Sequence, residues 1–197
     1  MPQEEKELSF QEKITKEIFE WVDAIAVSII AVVLVFTFIL RVVGVVGPSM
    51  QDTLHTGDKV IITHLNYEPR PGDIVVISRN YSNNWGDETE DSSPIIKRII
   101  AVENQTVDID FETGEVKVDG TVLYEPYLKT PTTTNTGNLE YPLVVPEGHI
   151  FVMGDNRAMS LDSRDSRIGT VDMRYILGEA VFRIYPFNVF GKLNSYE

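Results

Sequence analysis

The chain has no cysteine and only three histidines, His55, His64 and His149, among its 197 residues. Without thiols it can form neither disulfides nor a cysteine-ligated zinc site. It also lacks the H-E-x-x-H pattern of zinc peptidases and the G-x-x-x-x-G-K-S/T pattern of phosphate-binding loops. These absences leave little support for a metalloprotease and exclude a P-loop nucleotide-binding protein.

Positive charge is also scarce, with 17 Lys and Arg against 30 Asp and Glu and a net charge of −13. Proteins that bind nucleic acid need clustered positive charge facing the phosphates. We therefore expect no nucleic-acid partner. The length allows one hydrophobic core of ordinary size, or a core with an insert.

One long stretch has no charge at all. The 17 residues from Ala24 to Leu40 are uncharged, and the apolar pattern continues past Arg41 to Val46. As a helix, residues 24–46 would measure roughly 34 Å, which spans a bilayer. We predict a transmembrane anchor over this range.

Residues 1–23 form a polar lead-in, which we expect to be helical. A removable signal peptide would have a basic leader and a shorter apolar core, whereas this leader holds three lysines and six glutamates. The anchor is therefore predicted to be retained. Lysines precede the span and few basic residues follow it, which favours an N-terminus on the inner side of the membrane, with the rest of the chain outside.

After the anchor the pattern changes to alternation with β-branched residues. Strands are predicted in Lys59–Tyr67, Asp73–Ser78, Pro94–Val102, Gln105–Tyr124 and two late segments, "HIFVMGD" and "GEAVFRIYPF". The polar, acidic stretch Arg79–Ser93 is predicted to be a mobile surface loop. We predict an all-β domain of antiparallel sheets, with its core over residues 47–106 and 149–197 and an inserted β subdomain over residues 107–148.

The stretch "VVGVVGPSMQDTL" carries Ser49 in a Gly-Pro-Ser turn directly after the apolar run. Such a serine is most often an ordinary turn residue. A serine hydroxyl is a weak nucleophile until a base takes its proton. A catalytic interpretation therefore needs a base elsewhere in the chain.

The strand Pro94–Val102 offers one. Alternation puts Lys97 on the face of Ile95 and Ile99, and Arg98 on the opposite face. Lys97 could simply protect a sheet edge against aggregation. If it is buried among isoleucines, desolvation lowers its pKa, and a base working near pH 8 needs a shift of roughly 2–3 units.

The third stretch, "GDNRAMSLDSRDSR", is dense in short polar side chains. A turn that hydrogen-bonds its own backbone is the simple interpretation. A calcium loop does not fit, because Arg157 and Met159 stand where ligands should be. The same polar groups would suit a shell that holds a neighbouring amine in place.

With these stretches in this order, the chain resembles the bacterial type I signal peptidases. The resemblance rests on the anchor, "GPSM" with "DTL", "GDIVVI", "KRIIA" and "GDNRAMSLDSR". Each motif is weak alone, but their order behind one span is specific. These enzymes are membrane-anchored Ser/Lys proteases that remove signal peptides from exported preproteins. The resemblance implies an all-β catalytic domain with an inserted β subdomain, preceded by one transmembrane helix. It also implies exported preproteins and the lipid bilayer as partners, small residues at the first and third positions before the cut, and no cofactor or metal ion.

The resemblance also implies roles for single residues. Ser49 corresponds to the nucleophile, Lys97 to its general base and Ser160 to a serine that orients the lysine. Four residues of the last motif correspond to supporting groups: Asp155, Arg157, Asp162 and Arg164. One departure concerns the oxyanion: some members have a serine two residues before the nucleophile, where this chain has Gly47. The Ser49 N–H then remains as the obvious donor.

Apolar residues around the nucleophile suggest contact with substrate or membrane. Met50, Val42–Val46 and Phe187–Phe190 are the candidates, with ordinary core packing as the alternative for each. Three other functions stay open from the residues: a non-catalytic membrane-anchored β-domain, a self-cleaving repressor with the same dyad, and a Ser-His-Asp protease. The anchor and the acidic charge argue against the repressor.

Overall fold

A computed structural model describes residues 10–38, 40–79, 93–135 and 137–193. The chain divides into two units, Met1–Leu40 and Arg41–Glu197. Most of the predicted loop Arg79–Ser93, and the first nine residues of the lead-in, lie outside the described residues.

The first unit is one helix, α1, over Phe10–Phe38. Its segment Lys13–Val35 is long and apolar enough to cross a membrane. Within that segment the Ser28 hydroxyl donates to the Ala24 carbonyl oxygen at 2.7 Å. The hydroxyl is therefore satisfied inside the helix and adds little to the cost of lipid contact.

The helix bounds differ from the predicted anchor over residues 24–46. The helix begins earlier, at Phe10, and ends at Phe38. Residues Leu40–Gly44 form a strand instead. The run Val42–Val46 is rich in β-branched valine, which suits a strand, and Val45 packs into the core of the β unit at 3% exposure.

The second unit consists of β-strands, as predicted. They are β1 Leu40–Gly44, β2 Lys59–Thr63, β3 Ile74–Ile77, β4 Ile95–Val102, β5 Thr106–Asp110, β6 Glu115–Val118, β7 Thr121–Val122, β8 Leu143–Val144, β9 His149–Met153, β10 Val171–Asp172, β11 Ile176–Tyr185 and β12 Gly191–Lys192. The large sheet has the order β1-β2-β11-β3-β4-β9-β10, and β12 pairs with β11.

The second sheet has the order β7-β6-β5-β8 and arises from the meander between β4 and β9. Its turn at Asp119-Gly120 has positive φ at both residues, 50° and 77°, as a tight hairpin turn requires. Buried residues of this sheet, Val107 and Val116 among them, form one cluster with Phe151 and Met153 of β9. The two sheets therefore share a hydrophobic core.

The strands β3 and β4 position Lys97. They are antiparallel, with Val75 opposite Lys97 and Ile77 opposite Ile95. Val75, Ile77 and Ile99 pack together on one side of the sheet, whereas Ile96 packs on the other side, with the core around β2. The side chains of β4 therefore alternate between two buried environments.

Candidate active site

Ser49 lies in a turn that two buried side chains hold in the core. Met50 is 1% exposed and Leu54 is 0% exposed, and both pack with Val45. Burial of such side chains stabilises a fold by roughly 1.5–3 kcal/mol each. The packing of these two side chains therefore fixes the turn, and Ser49 is half-buried at the surface of the turn.

The burial of Met50 corrects one sequence-based prediction. A side chain that is 1% exposed contacts neither a bilayer nor a substrate directly. Among its predicted companions, Val42 and Val46 are 48% and 75% exposed, and Phe187 and Phe190 are 80% and 58% exposed. Apolar contact with lipid or substrate is open to these side chains and closed to Met50.

Lys97 lies in the middle of β4 and is 4% exposed. Its Nζ atom is 2.9 Å from the Ser49 Oγ atom. The strand alternation predicted from the sequence holds, because Ile99 and Ile95 of the same face pack together with Val75 and Ile77. Burial is the main cause that lowers the pKa of Lys97, to about 8. The charge of Asp162 opposes this shift, and that of Arg79 adds to it.

A pocket of about 270 Å³ opens onto the two groups. Its walls are mostly apolar, from Val46, Ile95, Ile96 and Leu161, and Arg79 also lines it. This space accepts a small or apolar group next to the Ser49 hydroxyl. The pocket is therefore a candidate place for a substrate group beside the Ser49 hydroxyl and the Lys97 amine.

The last motif forms a buried network of ion pairs behind this pair. Arg164 donates from Nε and Nη2 to the Asp162 carboxylate at 2.8 and 2.9 Å. Both side chains are 0% exposed. Burial alone would raise the pKa of Asp162, but the Arg164 contact and the Gly154 N–H lower it. Asp162 is therefore ionised and adds a negative charge near Lys97.

The sequence-predicted Asp155 and Arg157 are also buried, but each pairs with a residue outside the motif. Asp155 accepts from Nε and Nη2 of Arg98 at 2.9 and 2.7 Å. Arg157 pairs with Glu125 and donates to Thr132 as well. Arg98 therefore holds the motif from one face of β4, through its contact with Asp155, while Lys97 lies on the opposite face.

Asn156 directly contacts the turn that carries Ser49. Its backbone N–H donates to the Ser49 carbonyl oxygen at 2.9 Å, and its side-chain amide donates to the Pro48 carbonyl oxygen at 3.1 Å. Two consecutive carbonyl groups of the turn are therefore fixed by one residue. This contact limits rotation of the turn that carries Ser49.

The Ser160 Oγ atom is buried, and among the described residues it makes no hydrogen bond to the Lys97 amine. Its hydroxyl lies close enough to the Asp162 carboxylate to lower the pKa of that group. Ser160 also lies close to Gly154, where an added Cβ would stand 2.3 Å from its Oγ atom. Its orientation of Lys97 stays a prediction.

The departure at Gly47 also has a structural account. The Gly47 N–H donates to the Thr56 hydroxyl at 3.1 Å, and the same hydroxyl donates back to the Gly47 carbonyl at 3.2 Å. The Gly47 N–H is thus already engaged. Its φ of +92° suits glycine and disfavours other residues.

The histidine alternative receives no support at His149. Its ring contacts the Glu147 carbonyl oxygen at 2.9 Å at the start of β9, whereas the Ser49 turn meets the chain beyond the end of β9, at Asn156. The five residues of β9 separate these points by roughly 17 Å. The Lys97 amine, by contrast, contacts the Ser49 hydroxyl directly.

Four contributors escaped the sequence analysis: Arg98, Glu125, Asn156 and Thr53. A signal did exist for Arg98, because a charged residue at an inward position of a strand needs a buried partner. Glu125 carried no such signal. Thr53, whose hydroxyl donates to the Asp155 carboxylate, lies in the motif "DTL", but that motif indicated no role for it. Their roles depend on contacts across 32 and 102 positions of the chain, respectively.

Comparison with known proteins agrees with the motifs. The family model described as "Signal peptidase, peptidase S26" matches residues 18–185. The chain is 33% identical to a signal peptidase I of Bacillus licheniformis over 195 residues, which covers 92% of this chain and 98% of the relative. It is 33% identical to signal peptidase I S of Bacillus subtilis, covering 91% and 95%. A crystal structure of a signal peptidase I from Enterococcus faecalis matches with a TM-score of 0.43 and 27% identity, over 57% of this chain and 97% of that one.

Proposed function

The chain belongs to the signal peptidases of family S26, which remove signal peptides from preproteins, and we propose that it acts as a serine protease with Ser49 as nucleophile and Lys97 as general base. The 2.9 Å contact between the Lys97 Nζ and Ser49 Oγ atoms carries this proposal. It is the separation over which a hydroxyl proton can pass to an amine.

In the first step the neutral Lys97 amine takes the proton of the Ser49 hydroxyl while Oγ attacks the scissile carbonyl carbon. The tetrahedral intermediate collapses when the lysine returns this proton to the leaving amine, which departs with the mature protein. A water molecule then attacks the acyl carbon of the acyl-enzyme and gives a proton to the same lysine. The ester bond to the Ser49 Oγ atom breaks as the lysine returns this proton to Oγ, and the signal peptide leaves with a free carboxylate. The Ser49 N–H is the proposed donor to the oxyanion.

The reaction needs Lys97 without its proton. With a pKa of about 8, about a tenth of the lysine is neutral at pH 7 and about nine-tenths at pH 9. An unperturbed lysine would be neutral in well under a thousandth of the molecules at pH 7. Burial in β4 therefore supports the use of this lysine as a base.

Four residues are proposed to hold this pair in place: Asp155, Arg157, Asp162 and Arg164. Their ion pairs are buried, and the network contacts the Ser49 turn through Asn156. Ser160 is proposed to position the Lys97 amine, as the family resemblance implies. A substrate with small side chains before the cut would fit a pocket of about 270 Å³.

We further propose that α1 anchors the enzyme in the plasma membrane with the N-terminus in the cytoplasm and the β unit outside. In this arrangement the lipid bilayer holds enzyme and preprotein on one surface and raises their effective concentration. Phe187 and Phe190 are proposed lipid contacts of the β unit. The absence of cysteine makes the orientation testable, because Gln11→Cys and Thr121→Cys each introduce a single thiol.

A membrane-impermeant maleimide added to intact cells should label Thr121→Cys and leave Gln11→Cys unlabelled until the membrane is opened. The reverse pattern would overturn the orientation.

Cleavage of a preprotein in detergent tests the mechanism. Wild type should cut, whereas Ser49→Ala and Lys97→Met should not, and Lys97→Arg should be inactive because guanidinium is not deprotonated at any usable pH. His149→Ala is the matched control and should keep its activity. An inactive His149→Ala variant together with an active Lys97→Met variant would show that a histidine, and not Lys97, is the base. If Ser49 of the wild type does not react with an acylating probe, the alternative of a non-catalytic β-domain is favoured.

A further inference from the structure

The long connection between β7 and β8 crosses the last motif. Its residues 123–135 contain neither helix nor strand, and connections of that length are usually either functional or disordered. This one is held against the motif. Thr130 forms a parallel bridge with Asn156, and the Thr132 hydroxyl accepts a hydrogen bond from Arg157. The connection is therefore ordered where it passes the motif, and we call residues 123–135 the crossing segment.

One side chain of the crossing segment reaches the turn that carries Ser49. The Lys129 Nζ atom is 3.1 Å from the Asp52 Oδ1 atom and 3.2 Å from the Gln51 Oε1 atom. The backbone N–H of the same lysine donates to the Asp155 carbonyl oxygen at 3.2 Å. Lys129 therefore connects the residues that follow the nucleophile to the motif.

The two sides of the nucleophile are held in different ways. Asn156 donates to the carbonyl groups of the turn up to Ser49, and the buried Met50 packs in the core. Gln51 is only half-buried and Asp52 is exposed, so packing does not fix these two residues. Polar contacts from the crossing segment hold them instead. A displacement of about 1 Å in a reacting group can cost about 10²-fold in rate, so these contacts bear on catalysis.

We propose that Lys129 is a positioning residue of the reaction, whose ammonium group holds the turn through Asp52 and so keeps the Ser49 hydroxyl in place beside Lys97. The proposal rests on the proposed role of Ser49 as nucleophile. The side chains of the ion pair are exposed, 38% for Lys129 and 69% for Asp52, so salt weakens their attraction. The contribution of this pair to the rate should therefore depend on ionic strength.

The first test compares kcat and KM of the full-length enzyme in detergent with a soluble peptide substrate. Lys129→Met and Asp52→Asn should each lower kcat by roughly two- to fivefold and leave KM near its wild-type value. The double variant should lose little more than Lys129→Met alone, because both changes remove one interaction. Lys129→Arg keeps the charge and should keep kcat. Losses that multiply in the double variant, or an unchanged kcat in Lys129→Met, would refute the proposal.

Ionic strength separates the ion pair from a merely structural role. Raising the salt concentration from about 0.05 M to about 0.5 M should lower the wild-type kcat toward that of Lys129→Met, whose own kcat should stay constant. Lys117→Met is the matched control, because Lys117 forms a similarly exposed pair with Glu115 at 3.7 Å, within the second sheet. This control should respond to salt as wild type does. An equal salt response of wild type and Lys129→Met contradicts the proposal.

A second measurement does not depend on catalysis. The Leu54 N–H donates to the Met50 carbonyl oxygen at 2.7 Å within the turn, and hydrogen exchange followed by mass spectrometry reports on such bonds. In Lys129→Met the peptide that contains residues 49–54 should exchange faster than in wild type, while peptides from β3 should not change. Equal exchange of the turn in both proteins overturns the proposal. If the turn exchanges faster but Ser49→Ala still cleaves, Lys129 does hold the turn and the proposed nucleophile is wrong.

Discussion

Replacing Lys97 by methionine should stabilise the enzyme at neutral pH while it abolishes cleavage. The pKa of Lys97 is lowered from 10.5 to about 8. A shift of this size corresponds to about 3 kcal/mol. Methionine keeps the chain length and the apolar packing against Ile95 and Ile99, but loses the contact with Ser49, which contributes about 1 kcal/mol. We expect Lys97→Met to be more stable than wild type by roughly 2 kcal/mol at pH 7.

The sign and the pH window follow from linkage. Between pH 8 and 10.5 the unfolded chain holds a proton on Lys97 that the folded chain has lost. Wild-type stability therefore rises with pH across this window by about 1.4 kcal/mol per pH unit. The difference between the two proteins should thus shrink from pH 8 upward, change sign near about pH 9.5 and level off above pH 10.5. Other titrating groups cancel in the difference.

The assay is denaturant unfolding of the full-length proteins in one detergent, followed by the β-sheet circular dichroism signal from pH 6 to 11. Ile99→Met is the control, because Ile99 is 0% exposed on the same face of β4 and does not titrate. Its difference from wild type should be independent of pH. A Lys97→Met protein that is less stable than wild type at pH 7, or whose difference is flat with pH, would refute the argument that burial lowers the pKa of this lysine.

Three further outcomes are expected from the contacts around the site. Asp155→Asn leaves Arg98 buried without its charged partner, and it should destabilise the β unit by about 3–5 kcal/mol, measured by the same unfolding assay; full stability would refute it. Asn156→Ala removes the side-chain contact with the turn at Pro48, and kcat for a soluble peptide should fall roughly tenfold while KM stays near its wild-type value; an effect confined to KM would contradict a positioning role. The double variant Phe187→Ser/Phe190→Ser should cleave soluble peptides at the wild-type rate and process preproteins in liposomes more slowly than wild type. Wild-type rates on both substrates would exclude these rings as lipid contacts.

The sequence by itself determined the features that depend on local pattern. Period-two alternation with β-branched residues predicted β2, β3 and β4, because side chains of a strand point to opposite faces in turn. The same alternation separated Lys97 from Arg98. The Asp119-Gly120 turn was predictable, since few residues adopt positive φ readily. An uncharged stretch of 17 residues indicated a membrane helix.

Only the tertiary structure decided where the apolar run stops being a helix. The valines between Val42 and Val46 suit a lipid-exposed helix and a strand equally well by composition. Pairing of β1 with β2 and burial of Val45 selected the strand. Met50 has the same apolar character as a membrane contact, and only the core around Leu54 shows that it is buried.

Tertiary structure also decided the partners of the buried charges. Ser49 and Lys97 are 48 positions apart, and Arg98 and Asp155 are 57 apart. A local pattern can show that a buried charge needs a partner, because an unpaired one is too costly to keep. It cannot name that partner, since contacts between distant segments are set by how the sheets pair and pack. Glu125 lies beside Arg157 for that reason alone.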